Sequence, residues 1–407
     1  MNTDAFLLEI PKYDIHVHLD GSVRIPTLIE LAREYNVELP TYDAVELRKQ
    51  VFNGGYLHLP DYLEGFKYTV GVMQTARAVE RIAYEFAVDN YSEGVRYFEV
   101  RFAPQLHASI NPVDNFNLTE VFQAVDAGLV RATNEFNLKL IAEKREHEPK
   151  FDYGMIACAI RGIFPGMSRY YDALFAIHKD TVNGDMNSLA SELLVRNVIH
   201  CKENHNLKIV AIDIAGAEDG FENKCHRKAY EIAHEYLLNK SVHAGEGFGP
   251  ESIAQAVKQL HTDRIGHGFH LFNTDMVSPD NSCHKERYVE RLVKYVCDRR
   301  IAFEVCLTSN LDTMPSLTID KHAFKNMLSH NVSMTLNTDN RLMSNTTTIK
   351  ELKLAVETFG LTNKQLKEIV ICGFKRSFYH GSYAERRAYV RKVMDYYDMV
   401  AAKHGVK

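Results

Sequence analysis

No run of about 18 apolar residues occurs in the 407-residue chain, so no membrane-spanning helix is expected. The first residues include Asp4 and Glu9 and lack a basic region followed by a long apolar core, which argues against a secretory signal. There is no excess of positive charge: the net charge is −5 and the isoelectric point near 6.4. A nucleic-acid or anionic-membrane surface needs clustered cations, so the expected partner is a small molecule of little charge. The seven cysteines are scattered, odd in number and never arranged as CxxC, which predicts reduced thiols and a cytoplasmic setting. No Pro/Gly-rich linker, low-complexity tract or repeat with a period of about 20–50 residues divides the chain, so residues 1–407 are read as one domain. Oligomeric state is left open.

What is present is ordinary in bulk. Hydrophobic residues make up 45% and charged residues 25%, enough to bury a sizeable core. The first informative stretch is Tyr13-Asp14-Ile15-His16-Val17-His18-Leu19-Asp20-Gly21-Ser22, which reads as a β-strand running into a turn. Side chains alternate along a strand, so His16 and His18 share a face and Asp20 continues it. Two imidazoles at a strand end can hold a divalent ion; they can equally be one core and one surface histidine.

Similar short β-like runs recur with helical stretches between nearly all of them: Val95–Phe102, Asp152–Arg161, Lys208–Ile214, Ser241–Glu246, Arg264–Gly268, Ile301–Asn310 and Val332–Asn340. Eight βα units of this kind predict parallel strands with right-handed crossovers and a closed (β/α)8 TIM barrel. An open doubly wound sheet is the competing architecture, but no GxGxxG follows an early strand. Helices are expected over Leu57–Val72 and over Leu361–Lys407, the latter closing or decorating the barrel.

In such a barrel the strand C-termini form the active face. The polar residues expected there are His16, His18, Asp20, Gly216, His243, Glu246, His267, Ser309, Asn310, Asp339 and Asn340. Taken singly, each has a plain structural reading: a hydrogen-bonded core histidine, a turn at Ser309-Asn310, a helix N-cap at Asp339-Asn340. That reading does not explain why His, Glu and Asp recur at the ends of several strands. Three imidazoles and one carboxylate, His16, His18, His243 and Asp339, suit one Zn²⁺ per chain and leave a place for water. His267 would take the water's proton or hold the hydroxide, and Glu246, as a protonated acid, would deliver a proton to the substrate from the opposite side.

The strings His16-Val17-His18-Leu19-Asp20-Gly21-Ser22, Ile214-Ala215-Gly216, His243-Ala244-Gly245-Glu246, Arg264-Ile265-Gly266-His267-Gly268 and Asn337-Thr338-Asp339 resemble the adenosine deaminase family. Glu99-Val100-Arg101-Phe102-Ala103-Pro104 and the stretch with Leu59-Pro60 and Phe66 resemble it too. The resemblance spans about residues 10–360, with every motif in order. It implies a zinc hydrolase that converts adenosine and 2′-deoxyadenosine to inosine and deoxyinosine with release of ammonia, a purine-salvage step. It further implies that Glu246, His267 and Asp339 are catalytic, with Glu246 protonating N1 and water attacking C6. The substrate contacts implied are the Gly216 N–H to N3, Asp20 accepting from the ribose 5′-OH, residue 340 at N7, His18, and an apolar lid of Leu59, Tyr62, Leu63 and Phe66.

Two departures stand out. Asn340-Arg341 replaces the family's more familiar Asp-Pro after the metal aspartate; an amide can still donate to N7. Extra residues also lie near Met167–Asp185 and Asn273–Lys285. Adenine or a 5′-modified adenosine such as 5′-methylthioadenosine is the nearest alternative substrate. Asp20 where adenine-type relatives tend to carry Glu, and Gly266 before His267, favour adenosine. A binuclear amidohydrolase is disfavoured because Asp213-Ile214-Ala215-Gly216 carries no metal-bridging Lys, and the H-x-E/P-C-x-x-C deaminases are excluded by the missing P-C-x-x-C.

Overall fold

The β-branched and aromatic runs form eight parallel strands in the computed structural model, which describes residues 3–56, 59–109, 115–278, 284–314 and 316–406. They are β1 Lys12–His18, β2 Val95–Phe102, β3 Asp152–Ile160, β4 Ile209–Ala215, β5 Asn239–Ala244, β6 Arg264–His267, β7 Ala302–Val305 and β8 Met334–Leu336. Each pairs with the next in sequence order. Beyond the last residue of β8, Asp339 closes the ring against β1: its N–H donates to the His16 carbonyl at 2.6 Å and its carbonyl accepts from the His18 N–H at 2.9 Å. The fold is a (β/α)8 barrel, as expected.

Helices cover the outer faces, so both sides of the sheet are buried and the strands read as near-continuous apolar runs. Every residue of β1, β2, β4, β6, β7 and β8 is buried. One apolar cluster runs from Phe6 to Val406. The C-terminal helices Asn363–Arg376 and Tyr383–Lys403 join it near the chain's start, with Phe374 edge-on to Tyr13 and Tyr397 edge-on to Phe6. No described helix is long and apolar enough to cross a membrane.

The structure redraws three expectations. The run Ile301–Asn310 is not one strand: β7 ends at Val305, and Leu307–Thr313 is a short helix that carries Ser309 and Asn310, so these are not turn residues. Asp339-Asn340 does not cap a helix; the next one, Thr348–Phe359, is capped by Thr347. The polar stretch 167–185 holds the helix Arg169–Ile177, whose Tyr171 and Leu174 bury an apolar face in a small separate cluster. The lid region is two short helices, Leu59–Glu64 and Phe66–Val72; residues 57–58 and most of the second insertion, at 279–283, lie outside the described residues.

Helices Ala76–Ser92 and Leu118–Ala142 touch backbone to backbone at Gly128, where a Cβ would overlap the Glu80 carbonyl oxygen and crowd the Tyr84 N–H. Backbone cannot step aside as a flexible side chain can. Gly128→Ala is therefore expected to cost about 1–3 kcal/mol of stability, read by denaturant unfolding, while activity per folded molecule stays unchanged.

Candidate active site

Strands deliver their last side chains to the same rim, and here four of them deliver imidazoles or a carboxylate. His16 and His18 come from β1, His243 from β5, His267 ends β6, and Asp339 follows β8. Donor atoms of His16, His243, His267 and Asp339 all lie within 4.8 Å of one another. His18 joins them through Nε2, which is 3.3 Å from His243 Nε2 and 3.5 Å from Asp339 Oδ1. All five side chains are buried. His267 and Asp339 have φ of 60° and 55°, a conformation that non-glycine residues rarely hold and that concentrates at functional sites.

Two carboxylates inside the barrel set how the imidazoles face. Glu304 Oε2 is 2.7 Å from His16 Nδ1, and Asp213 Oδ2 is 2.9 Å from His243 Nδ1. Glu304 accepts the His16 Nδ1 proton and leaves Nε2 bare and aimed at the centre, the usual outer support of a metal-binding histidine, and Asp213 pairs with His243 from the same side of its ring. His16 Nε2 is buried with no hydrogen-bond partner. An unsatisfied buried nitrogen facing two further Nε2 atoms and a carboxylate oxygen is what a divalent cation would satisfy, and a set of nitrogen and oxygen donors without thiolate suits a borderline ion. Burial holds His16 and His18 well below the ordinary imidazole pKa, and His267 at about 4, so they are neutral and free to ligate. For His243 burial is overcome by the Asp213 carboxylate, which raises its pKa.

Asp339 is held from several sides. Its Oδ2 accepts from Ser309 Oγ at 2.5 Å and from Tyr62 OH at 3.4 Å, and Oδ1 accepts from Asn340 Nδ2 at 2.7 Å. The Asn340 side chain lies so close over Gly21 that any Cβ there would overlap its Oδ1. His267 Nδ1 lies 3.3 Å from Asn310 Nδ2, and its Nε2 is 3.7 Å from Glu246 Oε2. Glu246 is 13% exposed; burial raises its carboxyl to about 7, with the nearby Glu218 carboxylate adding to the effect, so much of it is protonated near neutrality.

A cavity of about 290 Å³ opens over this cluster. His18, Asp20, Tyr62, Leu63, Phe66, Gly216, His243, Glu246, His267, Asp339 and Asn340 all line it, so the structure brings nearly every residue singled out above to one space. Leu59 starts a lid helix, but its side chain lies outside the described residues. His16 lies behind the wall. Asp20 is buried, its carboxyl raised to about 7 by burial. Phe164 and, from the first insertion, Met167 also line the cavity.

Sequence reasoning passed over Glu304, Asp213 and Glu218, and gave Arg101 no role. The available signal was a charged residue inside an apolar strand, in Ala-Phe-Glu-Val, Ile-Asp-Ile and Phe-Glu-Val-Arg-Phe, where a charge survives only if paired.

The family model for adenosine deaminase matches residues 11–161 and 175–396. A probable adenosine deaminase of Dictyostelium discoideum is 32% identical over 370 residues, covering 91% of this chain but only 40% of that protein's length. An adenosine deaminase of Mycobacteroides abscessus is 33% identical over 377 residues and 91% of each chain. Among solved structures, the adenine deaminase of Arthrobacter aurescens superposes with a TM-score of 0.70 at 19% identity, over 96% of this chain and 99% of that one. The Arabidopsis N6-mAMP deaminase does so with a TM-score of 0.72 at 21% identity, over 96% and 99%. At such identities the two structures speak for the fold alone. On the family match and the relatives at about one third identity, the chain belongs to the adenosine deaminase family.

Proposed function

We propose that the protein is a zinc-dependent adenosine deaminase that hydrolyses adenosine and 2′-deoxyadenosine to inosine and deoxyinosine with release of ammonia, as a step of purine salvage. The observation that carries this reading is that Glu246 stands in one cavity with His18, His243, His267 and Asp339, its Oε2 3.7 Å from His267 Nε2. His16, His18, His243 and Asp339 would hold the ion. Bound there, Zn²⁺ supplies a water whose pKa is lowered to about 7.

The chain's own residues do the rest. His267 is neutral, and because the Asn310 amide donates to its Nδ1 its own proton sits on Nε2, from which it would hold the attacking hydroxide. Asp339 orients that water with the oxygen it turns toward the imidazoles. Glu246 donates its proton to N1 of the purine, so C6 takes the attack without charge building on the ring. Gly216 offers its N–H to N3 and Asn340 its remaining amide hydrogen to N7. Tyr62, Leu63 and Phe66 shed water from the covered ring.

Two features favour a nucleoside. The Asp20 carboxyl stands in the cavity wall, ready for a ribose hydroxyl and of no use to a free base. No Lys or Arg lines the cavity among the described residues, which disfavours a nucleotide: a phosphate would enter beside Asp20 without a cation to meet it. The comparison that tests this is turnover of adenosine, adenine, 5′-methylthioadenosine and AMP by one preparation. Adenosine is expected to be the best substrate; adenine or AMP ahead of it would overturn the choice.

Three outcomes follow for the metal and the acid. Metal analysis should give one zinc per chain, and chelation should abolish activity until one equivalent is restored; two metals would point to a binuclear enzyme. Asp213→Asn should weaken metal affinity about 10–100-fold by loosening His243, measured by chelator competition. Glu246→Gln should lower kcat by about 10²–10⁴-fold with metal content unchanged, and undiminished turnover would refute its role as proton donor.

A further inference from the structure

The segment that carries Glu246 is anchored by a side chain the reaction does not use. Glu218, two residues beyond Gly216, is 6% exposed. Its Oε1 accepts from the Gly245 N–H at 3.0 Å and from the Ser252 hydroxyl. Its Oε2 accepts from the N–H groups of Glu246 at 3.1 Å, Gly247 at 2.9 Å and Phe248 at 2.9 Å. Four consecutive backbone donors thus converge on one carboxylate. Gly245, at a φ of 72°, supplies the left-handed residue that lets successive N–H groups turn to the same side.

This arrangement bears on Glu246 directly. Its own N–H and both neighbouring ones are tied to Glu218, so its Cα has little freedom to slide along the cavity wall. Without the anion, buried N–H groups would lose their partner and the loop would repack to satisfy them. Burial works to raise the Glu218 carboxyl, but Arg161, Ser252 and the backbone donors outweigh it and keep it below the ordinary range, an anion as the donors require. No other described carboxylate accepts four consecutive backbone N–H groups.

We propose that Glu218 is a positioning residue for the proton donor: seated on the N–H groups of residues 245–248, it holds the Glu246 carboxyl at the height of the purine ring. This rests on the reading of Glu246 as the group that protonates N1. A small displacement of a reacting group lowers rate far more than it lowers affinity, since about 1 Å of misplacement can cost 10²-fold. Glu218 should therefore show in kcat and hardly in KM.

The test is a double-mutant cycle on the full-length zinc enzyme, using whichever adenine compound the wild type turns over best. Glu218→Gln keeps the shape but turns an NH2 toward backbone donors. It is expected to lower kcat by about 10–10²-fold with KM within about threefold and zinc per chain unchanged. In the Glu246→Gln background, where no proton donor remains to be positioned, the same change should alter single-turnover rates by less than about threefold. An equal loss in both backgrounds would show general damage and overturn the assignment, as would wild-type kcat in Glu218→Gln. Should that variant not fold, Glu218→Asp, which keeps the charge and loses the reach, runs the same cycle against the same outcomes. Failure of the functional reading looks different: there the wild type itself is inert toward every adenine compound.

Discussion

The site depends on a chain of buried charges that no solvent touches. Glu304 grips His16 Nδ1 and accepts from Arg101 Nη2 at 2.8 Å and from Arg264 Nε at 2.5 Å; Arg101 Nη1 reaches Asp213 at 2.6 Å, and Asp213 grips His243. Glu99 completes the set on Arg264 at 2.6 Å. Burial works to raise both gripping carboxyls, yet the guanidiniums hold Glu304 below the ordinary range, and His243 with Arg101 hold Asp213 at about 2. Such a set is a poor way to stabilise a fold, because desolvating each ion costs several kcal/mol and an apolar core could replace it at no loss. Its parts are nonetheless interdependent: deleting one strands another, at about 3–5 kcal/mol. What the chain obtains is two imidazoles of fixed tautomer and direction.

Those directions matter because the barrel brings the histidines from strands far apart in sequence. β1 and β5 lie on different sides of the ring, and the interior charges, running from β2 through β4 and β6 to β7, link the two carboxylates that orient His16 and His243. The closing contact between Asp339 and β1 does the same for the carboxylate. Its N–H and C=O are both used against β1, which fixes its left-handed backbone and so the path of its side chain. Strain at Asp339 and His267 is therefore held in place by strand pairing around them, and the donor set is arranged before any ion arrives.

Residues whose chemistry is visible in their own neighbourhood could be read from the sequence. His-x-His on a strand, His243 three residues before Glu246, and the eightfold βα alternation all have local signatures, and the strand limits deviate by a residue or two at most for β2, β3 and β4. Partnerships over long separations were not legible: Glu304 lies 288 residues from His16, and nothing local says that they meet. The helix Leu307–Thr313 was missed for a related reason. A strand-like Val-Cys-Leu-Thr run continues past Val305, and only tertiary packing, with Glu351 accepting from Thr308, bends it into a helix that points Ser309 at Asp339. Glu218 shows the same limit, being an unremarked acid in a loop until the fold lays four N–H groups on it.

Asn340, the clearest departure from the family's familiar pattern, makes sense in this setting. Asp339 is already a buried carboxyl whose pKa burial raises. A second carboxylate at 340 would add like charge beside it, and one of the pair would have to take up a proton. The amide avoids that conflict: Nδ2 donates to Asp339 Oδ1 and stays a donor at any pH, with its second hydrogen free for a ring nitrogen. Gly21 makes room for it, because a Cβ there would overlap the Asn340 side chain. Position 340 thus stays a donor, and the orientation of the Asp339 carboxyl does not depend on the protonation of its neighbour.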